Sequence, residues 1–164
     1  MDMVKVGPVG GVGGTIWDEK GRDKVAGINV YYNKLTVVAL EFLYYENDKL
    51  VLSNKYGDQN GCGNFSAVVF DYPSEFLTSI SSSYGDNGRF KVLEAIKFST
   101  NKGSYGPFGR TLPTYHSKHL NFQLGNHSLF GGFHGTMSPF AVKSIGIYVK
   151  PNVNMKYLRV KYEK

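Results

Sequence analysis

From Leu40 to Gly57 the chain reads LEFLYYENDKLVLSNKYG, and its side chains alternate: Leu40, Phe42 and Tyr44 face one way, Glu41, Leu43 and Tyr45 the other. A period of two residues is the signature of a pleated strand and cannot be met by a helix, whose faces repeat every 3.6 residues. The same chemistry recurs at Ile28 to Tyr32, Leu35 to Tyr45, Ser66 to Tyr72, Val92 to Phe98, Leu120 to Leu124 and Ser144 to Val149, all rich in β-branched and aromatic residues. Between these runs stand glycine-rich clusters at Gly7 to Gly14, Gly57 to Asn64, Tyr84 to Gly88, Asn101 to Gly109 and Leu129 to Gly135, which read as turns. No segment carries a capped helix of useful length, so the expectation is an all-β barrel, sandwich or prism.

The chain has 164 residues, enough for one domain with one core. Twenty glycines and six prolines are too many turn formers for a helical bundle, and 15% aromatic content argues for a packed interior over disorder. ALEF at Ala39, AIKF at Ala95 and SIGI at Ser144 share one pattern, which suggests three similar units.

Several functions are set aside. The net charge of +6 favours attraction of anions without forming a nucleic-acid signature. The single cysteine, Cys62, can form no internal disulfide and no cysteine zinc site. No stretch reaches membrane-helix length, and MDMVKVGPVGG lacks the apolar run of a signal peptide. These features set the expectation of a cytoplasmic or nucleocytoplasmic protein. The Asn64 and Asn126 sequons are then chance matches.

No enzyme can be assembled. His116 and His119 lack a third metal ligand nearby and read as an exposed loop; Asp71 and Glu75 flank a Pro73-Ser74 turn, where carboxylates bond local amides. Cys62 has no neighbouring histidine, and no nucleophile elbow is present. His134, in the GFHG turn, is expected to satisfy a carbonyl, and Trp17 to pack in the core toward the base. No cofactor or metal is expected.

Five of the eight residues from Gly7 to Gly14 are glycine. No phosphate-loop pattern can be written across them, and no helix pattern follows. Two readings stay open: exposed amides for ligand hydroxyls, or a connection that only permits tight strand crossing.

GPVGGVGGTIWDE (Gly7 to Glu19), the Ile28 to Tyr32 strand, LVLSNKYG (Leu50 to Gly57), YPSEFLTSISSSYG (Tyr72 to Gly85), VLEAIKFSTNKGSYGPFG (Val92 to Gly109), FGGFHG (Phe130 to Gly135) and SIGIYVKP (Ser144 to Pro151) together resemble the ordered landmarks of a jacalin-related lectin domain. The resemblance spans about Lys5 to Pro151 and implies a β-prism I fold. That fold has three Greek-key four-stranded sheets about a pseudo-threefold axis and a shallow sugar site at one end. It assigns 1–151 to the lectin domain and 152–164 to a basic extension.

By the same resemblance, Gly14 matches the glycine whose amide lies beside the sugar. The family's loop, glycine followed four residues later by aspartate, falls on Pro139 and Lys143, and the stretch from Thr136 to Ser144 is one residue longer than usual. A carboxylate accepts from two sugar hydroxyls, whereas a lysine only donates. The residues left for a ligand are Gly14, Phe140 as an aromatic platform, Ala141 and Val142 through their amides, Lys143, and the flanking Asp86 and Asn87.

Two functions follow. One is a non-enzymatic lectin-like module for a mannose-type or anionic glycan with an altered loop; the other is a protein-interaction or plant-defence module that has lost ordinary mannose or glucose binding. A homodimer is a further expectation. In the extension, Leu158, Val160 and Tyr162 alternate with Arg159, Lys161 and Glu163, which fits either a strand on a free sheet edge or partner chain, or a disordered basic tail.

Overall fold

The structure is a computed structural model that describes residues 3–11, 13–22, 24–85, 92–111, 117–125, 130–150 and, for the backbone, 159–163. Among these residues there is no helix, and the strands are β1 (Val4–Gly10), β2 (Thr15–Lys20), β3 (Val25–Tyr32), β4 (Val37–Glu46), β5 (Lys49–Leu52), β6 (Tyr56–Gly57) and β7 (Asn64–Val69). They continue with β8 (Leu77–Gly85), β9 (Leu93–Thr100), β10 (Gly103–Gly109), β11 (Ser117–Gln123), β12 (Phe130–Met137), β13 (Val142–Val149) and β14 (Arg159–Glu163).

The strands form three antiparallel sheets, ordered β1-β13-β12-β2, β5-β4-β3-β7 with β6 also pairing β4, and β10-β9-β8-β11-β14. Each sheet turns its alternate apolar side chains inward, and the three inner faces share one core. Phe42 of β4 stacks on Phe133 of β12 with centroids 4.0 Å apart, while Ile96, Phe98, Leu120, Ile145 and Ile147 close the interior from the other strands. Burying each such side chain contributes about 1.5–3 kcal/mol, so the prism is held together chiefly by this shared interior.

The three sheets repeat one local device. Val38, Glu94 and Lys143 each sit at a break in the register of their central hairpin, so each is an extra, bulged residue. The residue after each bulge, Ala39, Ala95 or Ser144, pairs with a glycine on the outer strand: Gly57, Gly109 or Gly10. The bulged carbonyls of Val38, Glu94 and Lys143 then accept the amides of Asp58, Arg110 and Gly11 at 3.0, 2.8 and 2.8 Å. The ALEF, AIKF and SIGI repeat therefore marks one strand position in three sheets. Glycine is required opposite it, because a Cβ on Gly10 would lie 2.4 Å from the Lys143 carbonyl oxygen.

Three glycine clusters expected to be turns are instead largely strand. Gly7 to Gly10 end β1, Gly103 to Gly109 form β10, and Phe130 to Gly135 lie in β12. In β12 close approach to a neighbour explains the composition: a Cβ on Gly135 would lie 2.2 Å from Ser144 O and 2.8 Å from the Trp17 ring. In β1 and β10 the register breaks around Gly7-Pro8 and Gly106-Pro107, on outer strands where a residue without an N–H is tolerated. The serine-rich β8 has too little apolar alternation to stand out. In the extension, residues 159–163 pair with β11 as a fifth strand, with Val160 opposite Phe122 and Tyr162 opposite Leu120.

Candidate functional site

At one end of the prism the loop of residues 138–141 joins β12 to β13, and the glycine turn between β1 and β2 folds against it. Lys143, as the bulged residue, has its carbonyl tied to Gly11 N–H and its side chain directed toward Gly14. Gly14 has φ +94°, and a Cβ there would lie 2.7 Å from Met137 O and 2.9 Å from Lys143 Cδ. The rim thus brings together Gly14, Phe140, Ala141, Val142 and Lys143. Asp86 and Asn87 lie outside the described residues.

The five differ in what they offer. Phe140 is 78% exposed and forms an open aromatic face, and Lys143 is half-buried. Ala141 and Val142 turn their side chains into the protein, at 3% and 0% exposure. The Ala141 amide is also not free: Ser138 Oγ accepts the N–H groups of Phe140 and Ala141, each at 3.2 Å, while Ser138 N–H donates to Ala141 O at 2.9 Å. Ser138 was not among the residues singled out from sequence. Its signal was the Ser-Pro dipeptide, since a serine starting a tight turn bonds its own backbone two or three residues on.

Below the loop, Thr136 and Ser144 share a hydroxyl–hydroxyl bond of 2.6 Å, and Ser144 Oγ also accepts Thr136 N–H at 3.0 Å. These contacts fix the hairpin from which Lys143 projects. Neither the turn from Gly10 to Gly14 nor the stretch from Thr136 to Ser144 contains a carboxylate, and Lys143 has no ion pair among the described residues. The rim therefore offers a cationic side chain and an aromatic face, and lacks a carboxylate that could accept from two sugar hydroxyls at once.

The remaining candidate residues are accounted for elsewhere. His134 is not at a turn or at the ligand end; it stands in mid-strand β12, 1% exposed, with Nε2–H donating to Val6 O at 2.9 Å and near Ile147 O at 3.2 Å. Burial holds its pKa below the usual imidazole value, against the opposing effect of those carbonyls. Trp17 is core, stacked on Tyr56 at 4.6 Å, but it pairs with Gly135 two residues below the rim, so it is not at the base.

Glu75 closes the Asp71 turn by accepting Asp71 N–H at 2.8 Å, and its other oxygen accepts from Thr100 and Tyr105 at 2.6 and 2.7 Å. His119 belongs to strand β11 and not to a loop, whereas His116 lies outside the described residues. Among the described residues no three of His, Cys, Asp or Glu gather as a metal site.

A prism of three such sheets with a rim built from a glycine turn and a β12–β13 loop defines a class. Residues 6–148 match the Jacalin-like lectin domain model, and the chain belongs to that family. Among its relatives, Protein RESTRICTED TEV MOVEMENT 1 of Arabidopsis thaliana is 34% identical over 155 residues, covering 90% of this chain and 87% of that protein. A mannose-specific jacalin-related lectin from Morus nigra, solved in complex with mannose, superposes with a TM-score of 0.78 at 27% identity, over 92% of this chain and 96% of that one. Single-chain recombinant jacalin gives 0.79 at 25% identity, over 92% and 95%.

Proposed function

We propose that this chain is a non-enzymatic carbohydrate-binding module whose altered rim takes an acidic glycan in place of neutral mannose or glucose. The observation that carries this reading is a rim that holds a lysine and no carboxylate. Lys143 stands where the resemblance places a carboxylate, the Phe140 and Ala141 amides are held by Ser138 Oγ, and Gly14 lies against the lysine. A sugar carboxylate supplies the anionic partner that this rim lacks, a charge-assisted bond to Lys143 is roughly twice as strong as a neutral one, and Phe140 stacks against a ring.

A second reading keeps the same rim and replaces the glycan with an acidic segment of a protein. It is favoured by the wide exposure of Phe140 beside Lys143, an aromatic and cation pair suited to a peptide. The 34% identity to Protein RESTRICTED TEV MOVEMENT 1, a relative not named as a lectin, also favours it.

A glycan array separates these outcomes. Wild type should ignore neutral mannose and retain uronate- or sialate-bearing probes, with binding that weakens as salt rises. Lys143→Ala should lose the acidic probes, and Lys143→Asp combined with Ser138→Ala should gain mannose. Mannose binding by wild type that survives Lys143→Ala would overturn the proposal. Silence toward every glycan, with retention of an acidic peptide that depends on Lys143, would establish the second reading.

A further inference from the structure

The outer face of the β10-β9-β8-β11-β14 sheet carries a cavity of about 350 Å³, within the roughly 300–1,000 Å³ typical of small-molecule sites. Its shape follows from the register. On the middle strand, β8, Ser81 lies between Lys97 of β9 and Asn121 of β11, and Ser83 lies between Ala95 and His119. Small side chains down the centre with larger ones on either side make a trough, because directly opposed residues on one face stand side by side. Ser82, between Ile96 and Leu120, points the other way into the core.

The trough combines apolar surface from Ala95, Ile96 and Pro107 with hydroxyl and cationic groups. Ser83 is only 8% exposed, lines the cavity, and its hydroxyl has no partner among the described residues. Lys97 and His119 line the trough without an ion pair among the described residues, and Thr111 supplies a further hydroxyl. Arg110 also lines it, but its Nε is engaged by Glu94 at 3.2 Å, and Glu94 accepts from the Ser117 hydroxyl at 2.6 Å as well. Beyond β11, the register sets Lys161 opposite Asn121 and Glu163 opposite His119. Hydroxyls and an ammonium converging on a recess suit a tetrahedral oxyanion, whose oxygens accept in several directions at once.

We infer that this trough is a second binding site, separate from the rim, for the phosphate or sulfate oxyanion of a small ligand. The anion sits between Lys97 and the Ser81 and Ser83 hydroxyls, and the volume left over accommodates the group that carries it. The inference does not depend on what the rim binds, since no trough residue belongs to the rim.

The test is an NMR amide-shift titration of the full chain with inorganic phosphate, mannose 6-phosphate and mannose. Both phosphate compounds should shift the amides of Ser81, Ser83, Lys97 and His119, and mannose should leave them in place. Lys97→Gln should weaken phosphate binding by about tenfold or more, Ser81→Asp should abolish it by placing a carboxylate on the trough floor, and Lys143→Ala should leave it unchanged. Both trough substitutions are on the outer face, so unchanged thermal unfolding certifies the fold. Tighter binding of the ester than of phosphate assigns the site to a phosphorylated ligand, and equal binding assigns it to the free anion. Absence of shifts at these amides, or binding that survives both Lys97→Gln and Ser81→Asp, overturns the inference.

Discussion

The bulge that presents Lys143 depends on Gly10, and the cost of placing a methyl group there can be worked from the structure. In Gly10→Ala the new Cβ would lie 2.4 Å from Lys143 O and 2.9 Å from Ser144 Cα, both backbone atoms that cannot swing aside. The backbone at Gly10 has φ +140°, a conformation that costs a residue with a side chain about 1–2 kcal/mol. Relieving the contact separates β1 from β13 and stretches the 2.8 Å bond from Gly11 N–H to Lys143 O, for about 1 kcal/mol more.

The expected loss is about 3 kcal/mol, or roughly 6–12 °C in Tm for a domain of this size. Two controls divide the terms. Gly21→Ala has φ +85° but no atom within 4 Å, so it should cost about 1 kcal/mol from backbone strain alone. Gly103→Ala has neither a positive φ nor a neighbour within 4 Å, and should be neutral or slightly stabilising. Urea unfolding of the three variants with a common m-value gives the ranking. If Gly10→Ala costs no more than Gly21→Ala, the outer strand does not press on the bulge and the account of how Lys143 is held fails.

Two further outcomes are expected. Ser82 is 5% exposed and its Oγ has no partner among the described residues, so Ser82→Ala should stabilise the protein by about 1 kcal/mol in the same urea assay; a loss of stability would refute the placement of that hydroxyl in the core. Stability should also fall in acid. Burial depresses the His134 pKa, so the unfolded chain takes up a proton that the folded chain resists, and stability declines as pH falls below the ordinary imidazole value near 6.5.

Glu75 adds a second loss at lower pH. Burial opposes its ionisation, but bonds from Thr100, the Asp71 amide and Tyr105 outweigh burial and hold its pKa below the usual 4.5; that stabilisation is present above 4.5 and vanishes as pH falls through the folded value. His134→Gln should flatten the first limb of a Tm-against-pH curve and leave the second. Unaltered curvature near pH 6 in that variant would contradict the assignment.

The rim shows where reading from sequence reached its limit. The replacement of a carboxylate by Lys143 and of glycine by Pro139 is visible in the resemblance, because both are matters of residue identity at a counted position. The use of the Phe140 and Ala141 amides by Ser138 Oγ is not, because a serine before proline has several local partners and only the loop conformation selects among them. His134 illustrates the same gap. Gly132 and Gly135 around it suggest a turn, whereas Gly135 leaves room for Trp17 and Gly146, opposite His134 on β13, leaves room for the imidazole; a Cβ on Gly146 would lie 2.4 Å from His134 Cε1.

The all-strand character and the threefold recurrence of ALEF, AIKF and SIGI are legible from residue order, since alternation and turn chemistry are local properties of a chain. Tertiary structure alone decided which glycines are strand and not turn, and that the extension's last residues join β11. It also decided that Ser81 and Ser83 floor a trough between Lys97 and His119, residues far apart along the chain. Those outcomes depend on register across strands, and register is fixed by how three sheets fill one shared core, which no local stretch of sequence contains.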